Sequence, residues 1–200
     1  MTPRKLRTTF TTAALSATLA VGAIGCSASA DATDDSGAST TSALTGSCDP
    51  SHAVGAVSAP HRALLDTIAF TEGTSGHGHD GYDVTFAYHQ FDSCTRHPDR
   101  RVCAGRYCST AAGRYQFLTT TWNALGYDDF GPANQDRAGI KLVARRGATV
   151  PEGRPLTATE FANTMNRISY EWASLPPGRY GQPSFSMAAT RREYCKLAGC

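Results

Sequence analysis

The chain carries almost no net charge for its size. Its 19 lysine and arginine residues are nearly balanced by 17 aspartate and glutamate residues, which gives a formal charge of +2. Several of the basic residues lie within the first seven positions, so the rest of the chain is closer still to neutrality. A nucleic-acid-binding protein normally shows a clear basic excess, and this balance argues against that class. The balance also gives no indication of a strongly anionic partner.

The sequence also lacks an apolar run that is long enough for a convincing membrane span. Residues 1–7 are basic and residues 10–25 are small and apolar, but the apolar stretch is short and only weakly hydrophobic. This pattern is typical of an export signal. Two processing sites remain open. Residues 23–26 resemble a lipoprotein box that would place a lipid on Cys26, whereas residues 28–30 fit ordinary cleavage after a small residue.

We expect three segments along the chain. Residues 1–25 are predicted to be a signal peptide, with the lipoprotein type favoured. Residues 26–55 are rich in Ser, Thr, Ala and Asp and are predicted to be a flexible tether. Residues 56–200 are predicted to form the folded domain. The protein is therefore expected to be exported, either to the periplasm or cell envelope as a lipoprotein, or as a secreted protein.

The cysteines support export. Cys26 is set aside by either processing route, and the remaining cysteines form an even set, which in an exported protein indicates disulfides. The sequence alone does not determine their pairing. We expect one bridge within the loop of residues 92–108 and another that ties the C-terminal tail. The six cysteines are Cys48, Cys94, Cys103, Cys108, Cys195 and Cys200.

Glu72 stands out because of its place on a predicted helix. Leu64, Leu65 and Ile68 recur at helical spacing, and Gly73 predicts the end of the helix. Glu72 continues the apolar stripe, where lost hydration and the negative end of the helix dipole both favour a protonated carboxyl group. Such a group suits general-acid cleavage of a glycosidic bond. The alternative is a solvated glutamate in the last turn.

The other elements are predicted from periodicity and caps. Residues 82–88 alternate as in a β-strand, so a small hairpin or three-stranded sheet is expected there. Residues 92–108 are predicted to be a long, cross-linked loop. Ser109 is a potential cap for a short helix, in which Gly113 indicates close approach of another group. Further helices are predicted over 119–125, 132–146, 157–172 and 185–197, which gives a mostly helical α+β class.

A metal site is a weaker hypothesis. His77, His79 and Asp80 lie in a glycine-rich loop. Zinc sites need three or four ligands in an ordered surrounding, and the other histidines show no suitable spacing. We therefore predict no metal ligands in this loop.

Several sequence blocks together resemble the phage lambda endolysin family of lytic transglycosylases. They keep the family's order and approximate spacing across most of the mature chain. The blocks are residues 69–74, 81–84, 109–116, 172–176 and 180–182, with weaker matches at 97–98 and 129–130. The resemblance implies a lysozyme-like fold and makes residues 56–200 a lysozyme-like catalytic domain. The six paired cysteines depart from the family pattern, and the disulfides expected from their number would stabilise the fold.

The resemblance also implies an activity. The family cleaves the β-1,4 bond between N-acetylmuramic acid and N-acetylglucosamine in peptidoglycan and forms a 1,6-anhydro sugar, with one glutamate as acid and then as base. Glu72 matches that glutamate, and no cofactor or metal is implied. The implied substrate-binding residues are Ser109, Tyr115, Gln116, Tyr180 and Gln182.

Two other functions remain open. A hydrolytic muramidase would need a second carboxylate, for which Asp80 and Asp83 are candidates. An inactive peptidoglycan-binding lipoprotein would keep the fold without catalysis. In each case the expected partners are peptidoglycan glycan strands, with membrane contact only through a lipid on Cys26. No nucleic-acid partner is expected, and the protein is predicted to be a monomer.

Overall fold

The computed structural model describes residues 46–55 and 57–200. Five α-helices and one two-stranded antiparallel sheet form the regular structure of this part of the chain, which confirms the mostly helical α+β class with a small β-hairpin. None of the helices described is both long and apolar enough to cross a membrane. The elements are α1 (Ala59–Glu72), β1 (Val102–Ala104), β2 (Tyr107–Ser109), α2 (Thr119–Leu125), α3 (Pro132–Arg145), α4 (Ala158–Ile168) and α5 (Met187–Ala198), with 3-10 turns at Pro50–His52 and Phe86–Tyr88.

The predicted helix that carries Glu72 is confirmed as α1. Its apolar face, which includes Leu64, Leu65 and Ile68, is almost completely buried and packs against α3 and α5. Gly73 ends the helix with φ of 74°, a left-handed conformation that a glycine adopts without a steric penalty. Glu72 is therefore the last helical residue, at the carboxyl end of a helix that lies in the core.

The predicted strand over residues 82–88 is wrong. The segment makes only isolated bridges to other parts of the chain. Ala87 and Tyr88 have φ of 61° and 63°, and an extended strand cannot pass through two consecutive residues in this conformation. The alternation in the sequence arises because Tyr82 and Val84 are both buried, although the chain turns shortly after them.

The sheet lies instead within the segment that was predicted to be a cross-linked loop. β1 and β2 pair in antiparallel register, with Cys103 directly opposite Cys108, and a disulfide joins these two residues. Most residues of both strands are exposed. The sequence therefore has no apolar alternation at this point that would indicate a strand.

Two further disulfides hold the ends of the described chain. Cys195–Cys200 closes the turn after α5, as expected for the C-terminal tail. Cys48–Cys94 joins residues 46–55 to the rest of the domain, and Cys48 is buried. This part of the predicted tether therefore belongs to the folded unit. The predicted signal peptide and the rest of the predicted tether lie outside the described residues.

A buried carboxylate connects α1, α3 and the loops of the domain. Asp136 on α3 is 0 % exposed and accepts four hydrogen bonds. Tyr82 and Tyr115 hydroxyls donate to its Oδ1 at 2.9 and 2.7 Å. Arg62 and the Val54 backbone N–H donate to Oδ2 at 2.7 and 3.1 Å. Because a buried charge is tolerated only when it is paired and hydrogen-bonded, this network fixes the relative positions of the segments that meet there.

Candidate active site

The carboxyl end of α1 borders a cavity of about 460 Å³. Glu72 lies in its wall, together with three of the residues predicted to bind substrate, namely Ser109, Gln116 and Gln182. These four residues come from three distant parts of the sequence, so the fold brings them together. The cavity is also lined by Phe86, Tyr107, Cys108, Ala111, Leu118, Glu171, Trp172, Ala173 and Pro183.

Burial raises the pKa of Glu72 to about 7, because removing a carboxyl group from water penalises its charged form. A hydrogen bond from Ser174 opposes this shift: Ser174 Oγ donates to Glu72 Oε1 at 2.5 Å. α1 has no basic residue in its last turn, and the negative end of its dipole also favours the neutral carboxyl. Glu72 therefore gains and loses a proton near neutral pH, which is the property required of a general acid and base.

Ser174 reaches Glu72 from the turn that follows α4. Its Oγ also lies 3.2 Å from Thr71 Oγ1. In the same turn, Trp172 Nε1 donates to the backbone carbonyl of Tyr115 at 2.9 Å. The end of α1, the turn after α4 and the segment before α2 are thus joined by hydrogen bonds around the cavity.

Residues 113–116 form a tight turn closed by a bridge between Ala112 and Phe117, and the predicted short helix after Ser109 is wrong. Gly113 has φ of 77° and leaves no room for a Cβ, since the Gln135 side chain occupies that space. The close approach expected at this glycine is therefore a contact within the protein. Gln116 Nε2 donates to the carbonyls of Val84 and Gly113 at 3.1 and 3.0 Å, which fixes its side chain in the cavity wall.

Two predicted substrate-binding residues do not line the cavity. Tyr115 is 0 % exposed and its hydroxyl is bound to Asp136, so it is a core residue and is not available to a ligand. Tyr180 is 54 % exposed, and its hydroxyl donates to the Tyr170 carbonyl at 3.0 Å. It lies outside the set of residues that enclose the cavity.

The two acidic residues considered as a second carboxylate also lie elsewhere. Asp80 pairs with Arg114 at 2.5 Å. Asp83 accepts hydrogen bonds from the His79 backbone N–H and lies 2.9 Å from the His79 ring. The second acidic residue in the cavity wall is instead Glu171.

The glycine-rich loop does not gather its polar side chains around a common point. The His77 ring stacks on the Tyr88 ring with their centroids 4.7 Å apart, and His79 pairs with Asp83. Among the residues that the structure describes, no three His, Cys, Asp or Glu side chains are grouped so that they could hold a metal ion.

Another cavity, of about 630 Å³, adjoins His97 and does not include Glu72. His97 Nε2 lies 2.9 Å from the Phe117 carbonyl, and the Asp99 backbone N–H donates to its Nδ1 at 3.1 Å. Burial lowers the pKa of His97, so the ring is neutral at physiological pH. A neutral ring with Nε2–H donating and Nδ1 accepting satisfies both backbone groups, and this accounts for the buried histidine structurally.

Sequence analysis missed two polar residues of the site. Ser174 lies within the block at residues 172–176, but only the fold shows that its hydroxyl meets Glu72. Glu171 directly precedes that block, and its place beside a block that carries the family resemblance was the available signal.

Comparisons with known proteins identify the family and the fold of the chain. The family model described as Endolysin matches residues 62–200. The chain belongs to the endolysin family. It is 35% identical over 130 residues to the endolysin of Escherichia phage lambda, covering 60% of this chain and 80% of the relative. It is 34% identical over 143 residues to the endolysin of Escherichia phage P2, covering 62% of this chain and 84% of the relative.

Comparison with solved structures gives the same family relationship, now from the fold of this endolysin. It superposes on bacteriophage lambda lysozyme complexed with a chitohexasaccharide with a TM-score of 0.64 at 31% identity, covering 70% of this chain and 95% of the other. A second structure of lysozyme from bacteriophage lambda gives a TM-score of 0.55 at 28% identity, covering 72% and 92% of the two chains. The lysozyme-like fold is confirmed. The chain is accordingly a lysozyme-like, peptidoglycan-degrading enzyme that cleaves glycosidic bonds.

Proposed function

We propose that this endolysin is a peptidoglycan lytic transglycosylase. It cleaves the β-1,4 bond between N-acetylmuramic acid and N-acetylglucosamine and leaves a 1,6-anhydro-muramic acid end. The observation that supports this most directly is the Glu72 carboxyl group, which lies in the cavity wall and has a pKa of about 7. Because this pKa lies near neutral pH, Glu72 can both give and take a proton within one reaction cycle.

The proposed reaction uses Glu72 twice. Protonated Glu72 first gives its proton to the glycosidic oxygen, which leaves as the 4-hydroxyl of N-acetylglucosamine. The bond to the anomeric carbon breaks with oxocarbenium-like character at that carbon. Ionised Glu72 then takes the proton of the 6-hydroxyl of N-acetylmuramic acid, as that oxygen bonds to the anomeric carbon of the same sugar. Glu72 is protonated again at the end, and no water is consumed.

The glycan strand is proposed to bind along the cavity. Bacteriophage lambda lysozyme has been solved with a chitohexasaccharide, and this endolysin shares its fold. Ser109, Gln116 and Gln182 are proposed to bind the sugars, because their polar side chains line the cavity that contains Glu72. Tyr180 remains a proposed contact for a longer strand outside the cavity.

Hydrolysis by two carboxylates is the second candidate reaction. Glycosidases that use water need a second acidic group beside the scissile bond. Asp80 and Asp83 are occupied elsewhere, but Glu171 lines the cavity. Its carboxylate is paired with Arg145 and Arg146 at 2.8 and 2.7 Å. Both guanidinium groups hold Oε1 of this carboxylate in the cavity wall, and this fixed ion pairing favours the mechanism with one carboxylate.

Mass spectrometry of digested peptidoglycan tests the proposal. We expect muropeptides with anhydro ends, which are lighter by one water than the corresponding reducing sugars. Products with reducing ends in the wild-type digest would reject the transglycosylase and favour the hydrolase. Cell walls that bind the protein without any release of fragments would favour a binding protein instead.

We also propose that this endolysin is exported by its own leader. The three disulfides of the domain are typical of an oxidising compartment, and the first residues have the composition of a signal peptide. A lipid on Cys26 is proposed as the anchor. Intact mass of the protein recovered from membranes, compared with Cys26→Ser, tests this point, since only a lipidated chain carries the added mass of the acyl groups.

A further inference from the structure

Glu171 has an unusual place for an acidic side chain in this domain. It lies in the turn after α4 and lines the same cavity as Glu72, yet its side chain is only 8 % exposed. Charged side chains are rarely buried to this extent unless they are paired. Two arginines at the end of α3 provide that pairing.

The hydrogen bonds to Glu171 all fall on one carboxylate oxygen. Arg145 donates to Oε1 through Nη2 at 2.8 Å and through Nε at 3.3 Å. Arg146 Nε donates to the same oxygen at 2.7 Å. Within the described part of the chain, no donor is bound to Oε2. That oxygen is also absent from the fully buried polar atoms that lack a partner, so it keeps some contact with solvent.

We propose that Glu171 is a substrate-binding residue, in which Oε1 is held by the two arginines and Oε2 accepts a hydrogen bond from a hydroxyl or acetamido N–H of the glycan. An ionised carboxylate only accepts hydrogen bonds, and these are the donors that an N-acetylhexosamine presents. The arginines orient the carboxylate before the sugar arrives, so little freedom is lost on binding. This inference rests on the proposed function, because it requires a glycan in the cavity.

The proposed role differs from that of Glu72. Glu72 has one hydrogen-bond donor and exchanges a proton, whereas Glu171 is fixed by two cations and acts only as an acceptor. Its removal should therefore weaken glycan binding and leave the chemical step nearly unchanged.

Binding and turnover of four variants test the proposal in the full processed chain. Affinity for chitohexasaccharide is measured by calorimetry in an E72Q background, where no cleavage occurs. Steady-state rates on soluble peptidoglycan are measured with Glu72 intact. The variants are E171A, E171Q, R145A and E160Q. Glu160 forms a comparable ion pair with Arg154 at 2.7 Å on the exposed side of α4 and is the matched control.

We expect E171A to weaken hexasaccharide binding about 10-fold or more, as for loss of a hydrogen bond to a charged group. KM should rise by a similar factor, with kcat within about 3-fold of the wild type. E171Q keeps one acceptor oxygen and should lie between E171A and the wild type. R145A should have a smaller effect than E171A, because Arg146 still holds Oε1. E160Q should bind like the wild type.

The results that overturn the proposal separate it from the proposed function. If E171A binds hexasaccharide as tightly as E160Q and anhydro products still form, Glu171 is not a binding residue and the transglycosylase stands. If E171A keeps its affinity and loses kcat as completely as E72Q, Glu171 takes part in the chemistry. If, in addition, the wild type gave reducing-end products, the transglycosylase proposal would also be rejected. Thermal unfolding of each variant confirms that it is folded.

Discussion

The Ser174 hydroxyl donates to the Glu72 carboxyl at 2.5 Å, although the two residues are 102 positions apart in the sequence. Among the described residues, this contact is the one polar interaction that opposes the effect of burial on Glu72. It stabilises the ionised carboxyl that the proposed reaction forms after proton donation, and it fixes the side chain at the cavity wall. The pKa of about 7 thus results from two opposing effects that can be separated by mutation.

Removing the Ser174 hydroxyl should change the pH dependence of turnover. The hydrogen bond lowers the pKa of Glu72, so Ser174→Ala should raise it further above 7. Because the first step needs protonated Glu72, activity of the wild type should fall as the pH rises through about 7, and this limb should move to higher pH in the variant. A pH–rate profile on soluble peptidoglycan measures the shift. Ser174→Thr keeps a hydroxyl and is the control.

Glu72→Gln should abolish turnover. A glutamine cannot donate the proton, so the rate should fall by about 10² to 10⁴. The rate of release of soluble muropeptides measures this loss. Lysis at the wild-type rate by the variant would show that another group is the acid.

The same substitution should stabilise the fold at neutral and high pH. The folded pKa of Glu72 is about 7 against an ordinary value of 4.5, so the ionised form is disfavoured in the fold. This contribution is favourable below pH 4.5 and is lost as the pH rises to about 7. Glutamine carries no charge, so Glu72→Gln should raise the free energy of unfolding by up to about 3 kcal/mol above pH 7 and have little effect near pH 4.

Urea unfolding at pH 4 and pH 8 checks this prediction, with Glu160→Gln as a control of opposite sign. The hydrogen bond from Arg154 lowers the pKa of Glu160 to about 2. Its contribution to stability is present above its ordinary pKa and is lost as the pH falls to about 2. Glu160→Gln should therefore destabilise the protein slightly at pH 8. If the two variants changed the free energy of unfolding equally at both pH values, the opposite pKa shifts assigned to Glu72 and Glu160 would be contradicted.

The sequence predicts the part of this site that lies on α1. It does not predict the part contributed by the turn after α4. The apolar spacing on α1 and the glycine after it are local signals, so the helix and the position of Glu72 were predicted correctly. Ser174 meets Glu72, and Glu171 lines the cavity, only because the turn after α4 folds against the end of α1, and no local pattern records such a contact. Tyr115 and Gln116 show that a sequence motif does not indicate which of its side chains reach the cavity. They are adjacent, but one side chain enters the core and the other, with φ of 48°, lines the cavity.

The β-hairpin was missed for a related reason. Its strands are short and exposed, so burial imposes no alternation on their residues. The Cys103–Cys108 disulfide links the two strands, and the pairing of cysteines is not determined by their number. The error at residues 82–88 was the opposite one, because a strand was predicted where none forms. Buried side chains at alternate positions also occur in a chain that turns.

The disulfides should differ in their effects on stability and activity. Cys48–Cys94 spans 46 residues and Cys103–Cys108 spans 5. From the entropy of loop closure, replacing both cysteines by serine should cost about 4 kcal/mol for the first pair and about 2 kcal/mol for the second. Cys108 lines the cavity, so the second double variant should raise KM even where the protein is fully folded. Urea unfolding and steady-state kinetics on both variants measure the two effects, and a larger stability loss from the short bridge would contradict this account.

The buried carboxylate of Asp136 should be among the most sensitive positions of the fold. Two tyrosine hydroxyls donate to Oδ1, whereas Arg62 and a backbone N–H donate to Oδ2. In Asp136→Asn one carboxylate oxygen becomes an amino group. This amino group faces hydrogen-bond donors whichever of the two oxygens it replaces. The hydroxyls can turn and accept, but the guanidinium would still lose its anionic partner. Breaking a buried ion pair in this way costs about 3 to 5 kcal/mol.

Tyr82→Phe is the matched comparison for this network. It removes one of the four donors and leaves the carboxylate paired, so it should cost only about 1 kcal/mol. Urea unfolding of both variants at neutral pH gives the two values. If Asp136→Asn destabilised the protein no more than Tyr82→Phe, the charge on Asp136 would contribute nothing, and the tyrosines and arginine would be held in place by apolar packing alone. A large difference would show that the charge itself joins α3 to α1 and, through Tyr115, to the turn that carries Gln116 in the cavity wall.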